Sequence, residues 1–162
     1  MSILLRFDGA CKGNPGIGGS AAVLYTDNEI VDICYYYHSK PVTNNIAEYI
    51  GLIGGLNMCL SHGYTNLMIE GDSKLVIEQV FGTWKCTHKN MVPLQHEIQI
   101  LKKQFVSIFG RWIPREENTD ADYYSNLTIK LKINKGHPEW FELKNNINKP
   151  KQNSILEQFG IA

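Results

Sequence analysis

Short apolar, β-prone runs open the chain, and longer stretches with apolar residues at helical spacing follow. "SILLRFDGA" (2–10) predicts a strand ending at Asp8, followed by a glycine-rich loop, "GACKGNPGIGG" (9–19). "SAAVLY" (20–25) and "IVDICYYYH" (30–38) flank the polar turn "TDNE" and predict two further strands joined as a hairpin. Across 44–61, Ile46, Ala47, Ile50, Ile53, Leu56 and Leu60 recur at helical spacing, with Gly63 as the stop. Gly51, Gly54 and Gly55 each lower helicity by about 1 kcal/mol relative to Ala, so this helix is expected to press closely on a sheet. "NLMIEGD" (66–72) reads as a fourth strand, and "DSKLVIEQVFG" (72–82) as a helix opened by good capping residues and closed at Gly82. "MVPLQHEIQILKKQF" (91–105) is amphipathic, "VSIFGRWIP" (106–114) a fifth strand, and "NTDADYYSNL" (118–127) a short helix capped near Asn118 or Thr119. The alternation predicts an α/β layer structure, helices against a mixed sheet. After Leu127 the pattern degrades into an Asn/Lys-rich segment containing Trp140 and Phe141. It is expected to be an extension (128–162) to a domain spanning 1–127.

Composition narrows the class. At 162 residues and 43% hydrophobic content, the chain suits one domain with its own core. It has no apolar run of about 18 residues and opens without the basic, apolar and small-residue segments of a signal peptide. A soluble intracellular protein, cytoplasmic or nuclear, with no membrane association is the expectation. Cys11, Cys34, Cys59 and Cys86 form no C-x-x-C pair, which points to reduced, mostly buried thiols rather than a zinc or redox motif.

The formal net charge is zero, which argues against holding nucleic acid by bulk electrostatics alone. Residues 1–127 carry 10 Lys/Arg against 13 Asp/Glu, whereas 128–162 carry 6 Lys against 3 Glu. Divalent cations bound by acids of the first part would move it toward neutrality and so decide whether a polyanion is tolerated.

Four acids stand where open α/β sheets build their sites. Asp8 ends a strand before a glycine loop, Glu48 lies in the first turn of a helix, Asp72 joins the fourth strand to a helix, and Asp122 falls in the helix after the fifth strand. Taken singly, each also fits an ordinary role: a turn residue, a dipole-complementing acid, or an N-cap. Taken together in one crevice, four carboxylates would repel one another and rise in pKa. A pair of Mg²⁺ ions, or Mn²⁺, removes that conflict and suits phosphodiester hydrolysis. The absence of a His or Cys cluster favours such hard cations over zinc.

The segments "FDGACKGNPGIGG" (7–19), "TNNIAEYIGLIGGL" (43–56), "MIEGDSKLVIEQVFGTWKC" (68–86) and "RWIPREENTDADYYSN" (111–126), in this order and with an acid in each, resemble the type 1 ribonuclease H family, in its compact branch without a basic protrusion. With their linking elements they cover about residues 2–127. The resemblance implies a ribonuclease H-like fold, a five-stranded mixed sheet flanked by helices. It implies an acidic quartet of Asp8, Glu48, Asp72 and Asp122 that binds two metal ions and cleaves the RNA strand of an RNA–DNA hybrid, leaving 3′-hydroxyl and 5′-phosphate ends. Asp120 is a rival for the last position and is expected to face solvent or cap the helix. The resemblance further implies that Thr43 and Asn44 grip a phosphate of the DNA strand. Asn14 and Asn45 would meet the RNA side of the minor groove, where 2′-hydroxyls distinguish RNA from DNA, and Trp84 with Lys85 would pack on the DNA backbone.

The chain also departs from the family pattern. Well-known members carry a His in the loop before the last acid; here that loop reads "PREENT", leaving Arg115, Glu116 or Glu117 as substitutes. The missing protrusion and neutral charge imply weaker, more salt-sensitive hybrid binding, to which the Lys-rich extension would contribute. Two alternatives remain open: a non-catalytic hybrid- or RNA-binding module, and another nuclease of the same superfold.

Overall fold

The computed structural model describes residues 1–144 of the 162. Three strands open the chain: β1 (Ile3–Gly13), β2 (Gly16–Thr26) and β3 (Glu29–Val42). They form an antiparallel meander in which β2 pairs with both neighbours. Helix α1 (Asn44–Ser61) then crosses the sheet and returns the chain as β4 (Asn66–Gly71), parallel to β1. Helices α2 (Lys74–Val80) and α3 (Val92–Lys102) lead to β5 (Ser107–Trp112), parallel to β4. A single 3-10 turn at Arg115–Glu117 precedes α4 (Thr119–Leu131), and a second lies at Pro138–Phe141. The strand order is β3-β2-β1-β4-β5, so β1 and β4 lie side by side at the centre.

This is the expected five-stranded mixed sheet flanked by helices, with three differences in extent. Asp8 does not end its strand: β1 and β2 run through the glycine-rich segment as one long hairpin, turning at the cis Asn14–Pro15 peptide. Glycines in strands are normally a cost, but here they admit a helix. A Cβ on Gly9 would lie 2.3 Å from the Ala47 backbone, and one on Gly51 would lie 2.6 Å from the Asp8 carbonyl oxygen. The two glycines therefore let β1 and α1 touch backbone to backbone. The second difference is α4, which continues past Leu127 to Leu131 and ends on Lys132 in the left-handed region.

The third difference follows from the second. The boundary expected at Leu127 falls inside α4, and the chain beyond it keeps packing. Lys135 bridges to Tyr35 of β3 through paired backbone hydrogen bonds of 3.0 Å. Phe141 and Leu143 are buried, Phe141 lying where a Cβ on Gly54 of α1 would meet its ring. Aromatic residues at the head of the extension thus complete the core against α1, which explains why that helix is buried on nearly every side. The remainder of the expected extension, 145–162, lies outside the described residues.

One polar pin sits beneath the start of α1. The Ser20 hydroxyl donates to the Ala47 carbonyl at 2.7 Å and meets His38 Nε2 at 2.7 Å, all buried. Burial pushes the His38 imidazole down to about 3, so it stays neutral. Cys34 and Cys59 are buried and all four cysteines are free thiols, as the spacing implied. Among the described residues, no helix is long and apolar enough to cross a membrane.

Candidate active site

The crevice lies at the carboxyl ends of the central parallel pair, β1 and β4, where such sheets place their sites. Asp8 projects from β1 beside the close approach to α1. Glu48 faces it from α1, one turn further into the helix than expected: Thr43 is the N-cap, its hydroxyl accepting from Ile46 N at 3.2 Å, and no acid occupies the first turn. Glu48 therefore does little for the helix dipole, whose effect fades within a turn. Asp72 follows β4 directly. Ser73, not Asp72, caps α2 by accepting from Val76 N, which frees the Asp72 carboxylate for the crevice.

Asp8, Glu48 and Asp72 each offer a carboxylate oxygen within 4.8 Å of the others. Asp122 lines the same cleft, of about 380 Å³, together with Asn44 and Arg115. It stands further out than the other three. Its side chain is a third exposed, and Arg115 Nη2 lies 3.6 Å from its Oδ1. Asp120, the rival, turns away: it accepts the hydroxyl hydrogen bond of Tyr25 on β2.

The electrostatics of the cluster are unfavourable as the side chains stand. Burial pushes the Asp8 carboxyl up to about 7, its hydrogen bond with Glu48 pulling back and the charges of Asp72 and Asp122 adding to the rise. Burial, and next the charge of Asp8, hold Glu48 well above the carboxylate range. Asp72 is also raised by burial, while a hydrogen bond from Asn118 and the charge of Arg115 oppose the rise. Glu48 Oε2 is buried with no hydrogen-bond partner. Buried acceptors are seldom left so, and a hard divalent cation among all-oxygen donors satisfies that oxygen and offsets the repulsion. The residues present therefore fit such an ion.

Residues not singled out from the sequence hold the acids in place. Asn118, fully buried, donates from Nδ2 to the Phe7 carbonyl at 2.9 Å and to Asp72 Oδ2 at 3.1 Å. It thereby ties β1, β4 and the start of α4 together around the site. Ser125 of α4 lies 3.4 Å from Asp8 Oδ2. The loop carrying Arg115 is anchored from the sheet: Arg6 donates to the Glu117 carbonyl at 3.0 Å and pairs with buried Glu70 at 2.9 Å, which also pairs with Arg111. In sequence, only the position of Asn118 at a helix start marked it, and that signal is indistinguishable from capping.

The expected substrate residues fall into three places. Asn44 lines the acidic cleft. Asn14, Thr43 and Asn45 line a separate depression of about 210 Å³ with His88 and Met91, and Asn14 Oδ1 accepts from Asn44 N at 3.1 Å, linking the two. His88 carried no signal in the sequence; the loop before α3 brings it there. Trp84 and Lys85 stand in that same loop and line neither depression. Trp84 is 47% exposed, so it is not a core residue.

A model of the family described as "Reverse transcriptase-like" matches residues 6–128. A bifunctional protein of Mycobacterium tuberculosis is 40% identical over 127 residues, covering 78% of this chain and 35% of that protein. The chain thus spans about a third of the length of the first curated relatives it matches. The solved N-terminal RNase H domain of that protein superimposes with a TM-score of 0.76 at 36% identity, covering 80% of this chain and 94% of the domain. A ribonuclease H of Wolbachia pipientis is 31% identical over 140 residues, covering 78% of this chain and 94% of the relative. LC11-RNase H1, isolated from compost and solved in complex with an RNA/DNA hybrid, gives a TM-score of 0.76 at 27% identity, covering 81% of this chain and 99% of that one. With the sheet order, the acids at its centre and these likenesses in agreement, the chain belongs to the ribonuclease H family of enzymes, in its type 1 branch.

Proposed function

We propose that this protein is an endoribonuclease that hydrolyses the RNA strand of RNA–DNA hybrids, with Asp8, Glu48, Asp72 and Asp122 as its metal-binding catalytic residues. The observation that carries the reading is the convergence of buried Asp8 and Glu48 and half-buried Asp72 within 4.8 Å, with one carboxylate oxygen left unpartnered, in a member of this family. When bound there, a pair of Mg²⁺ or Mn²⁺ ions supplies Lewis-acid charge that offsets the negative charge building on the phosphodiester, consistent with 3′-hydroxyl and 5′-phosphate ends. Asn118 keeps Asp72 oriented, and the contact between β1 and α1 keeps Asp8 and Glu48 opposed.

Arg115 is assigned the role for which the "PREENT" loop offers no His. Of the three loop candidates, it alone lines the cleft. Guanidinium does not give up its proton, so its contribution is to hold phosphate oxygens rather than to shuttle protons. Substrate recognition is assigned to the depression of Asn14, Thr43 and Asn45 beside the cleft, with Asn44 between them. Amide side chains both donate to and accept from a 2′-hydroxyl, which suits an RNA strand. Exposed Trp84 and Lys85 extend the contact toward the DNA backbone. The hybrid bound by LC11-RNase H1 supports the choice of substrate.

The test is direct. Purified protein with Mg²⁺ or Mn²⁺ is expected to cut a labelled hybrid and spare duplex DNA. Folded protein that cuts nothing would leave the non-catalytic binding module as the reading, and cutting of duplex DNA would favour another nuclease of the superfold. Asp72→Asn is expected to abolish cleavage while retaining hybrid affinity; surviving cleavage would overturn the assignment of the acids.

A further inference from the structure

The outer face of α4 carries a groove of about 510 Å³ that the reading above does not use. Thr119, Asp122, Tyr123, Asn126, Leu127 and Lys130 line it, positions that helical spacing brings onto one face. Asp122 and Asn126 also line the acidic cleft, so groove and cleft are continuous.

The chemistry of the groove is that of a single-strand contact. Tyr123 is 59% exposed, yet its ring is held from behind: it meets Tyr124 edge-on at 5.1 Å, and Tyr124 stacks on Tyr35 of β3 at 5.9 Å. An exposed aromatic already held in place loses little entropy when a flat ligand stacks on it. Exposed Lys130 lies seven residues along α4, about 10 Å at 1.5 Å per residue, which leaves room for a base on the ring and a phosphate at the ammonium. The acid at the cleft end, Asp122, and the cation at the far end orient an anionic strand toward Lys130. A base paired within a duplex has its faces occupied by its neighbours, whereas an unpaired base can stack on protein. The strand nearest this groove is the one that passes through the cleft to be cut.

Resting on the hybrid-cleaving reading, we infer that this groove binds an unpaired nucleotide of the RNA strand flanking the hybrid, its base on Tyr123 and its phosphate at Lys130. The protein would then favour hybrids at the point where the RNA leaves the duplex.

The experiment compares the affinity of the full chain, in EDTA so that no strand is cut, for a short blunt hybrid and for the same hybrid with an RNA overhang at its 5′ or its 3′ end. One of the two RNA overhangs is expected to tighten binding about tenfold, the size of one base stacked on an aromatic side chain. An overhang on the DNA strand is expected to give no such gain. Tyr123→Ala should bring the ratio of the two affinities toward one and Tyr123→Phe should restore it. Lys130→Gln should reduce the salt slope for the overhang substrate by about one. No gain from either RNA overhang, a gain that survives Tyr123→Ala, or an equal gain from a DNA overhang would overturn the inference. Cleavage of the blunt hybrid with Mg²⁺ reports separately on the parent reading, so the two can fail independently.

Discussion

Among individual residues, Asp8 shows how the site trades stability for function. Its carboxyl, near 3.8 in an open chain, is pushed up to about 7 by burial beside other acids. Between those values the folded chain holds a proton that the unfolded chain has released, so stability falls as pH rises, by about 1.4 kcal/mol for each pH unit of the window. In EDTA, Asp8 is therefore expected to lower the melting temperature from about pH 4 to pH 7, with raised Glu48 adding to the fall and buried, neutral His38 opposing it below about pH 6.5, and Mg²⁺ is expected to recover stability at neutral pH. Asp8→Asn should gain in melting temperature relative to the parent from pH 4 to pH 7, melt higher than the parent at pH 8 in EDTA, and lose the stabilisation by Mg²⁺. Calorimetry with and without metal measures all three, and an unchanged slope in Asp8→Asn would refute this account. The acids themselves were legible as candidates because all four stand at strand ends and helix starts, where open α/β sheets build their sites, although each alone also fits an ordinary local role. Asn118 was not, because capping and carboxylate positioning use the same residue type at the same place.

Secondary-structure elements were read correctly in kind and order, and α1 also in its bounds, whereas the ends of β1, β2 and α4 were not. The glycine-rich segment looked like a loop because glycine disfavours strands; only the approach of α1 explains why β1 and β2 continue through it. This makes Gly51→Ala a discriminating substitution. Helix propensity alone favours Ala by about 1 kcal/mol, whereas the new Cβ would stand 2.6 Å from the Asp8 carbonyl oxygen. Backbone cannot give as a flexible side chain can, and overpacking costs about 1–3 kcal/mol. The variant is expected to melt lower than the parent and to cut hybrid more slowly, since Asp8 moves with its carbonyl. A higher melting temperature would mean that propensity outweighs the contact. Likewise, Phe141 looked like part of an appendage but fills the space above Gly54. Phe141→Ala should cost about 3–5 kcal/mol in urea unfolding, and a loss below 1 kcal/mol would show that the segment past α4 is dispensable.

For the molecule as a whole, charge is the governing quantity. A chain with zero net charge and an acid excess in residues 1–127 has little general attraction for a polyanion. Hybrid affinity of the uncut complex, measured with Asp72→Asn protein, is therefore expected to tighten on adding Mg²⁺ and to weaken steeply with KCl. Equal affinity in EDTA and in Mg²⁺ would show that phosphate contacts away from the acids carry the binding.

Periodicity and spacing were sufficient for the α/β class and the element order, because each is written locally as an apolar repeat, and they offered four acids as candidates that only the resemblance joined into a set. Contacts between distant segments settled the rest. The fold separates Asp122, beside Arg115, from Asp120, on Tyr25, and ranks Asp122 outside the triad of Asp8, Glu48 and Asp72. It also recruits Asn118 and His88 and carries the core on to Leu143. A side chain's neighbours across a sheet come from strands tens of residues away, so its partner, its burial and its proton affinity exist only once the chain has closed upon itself.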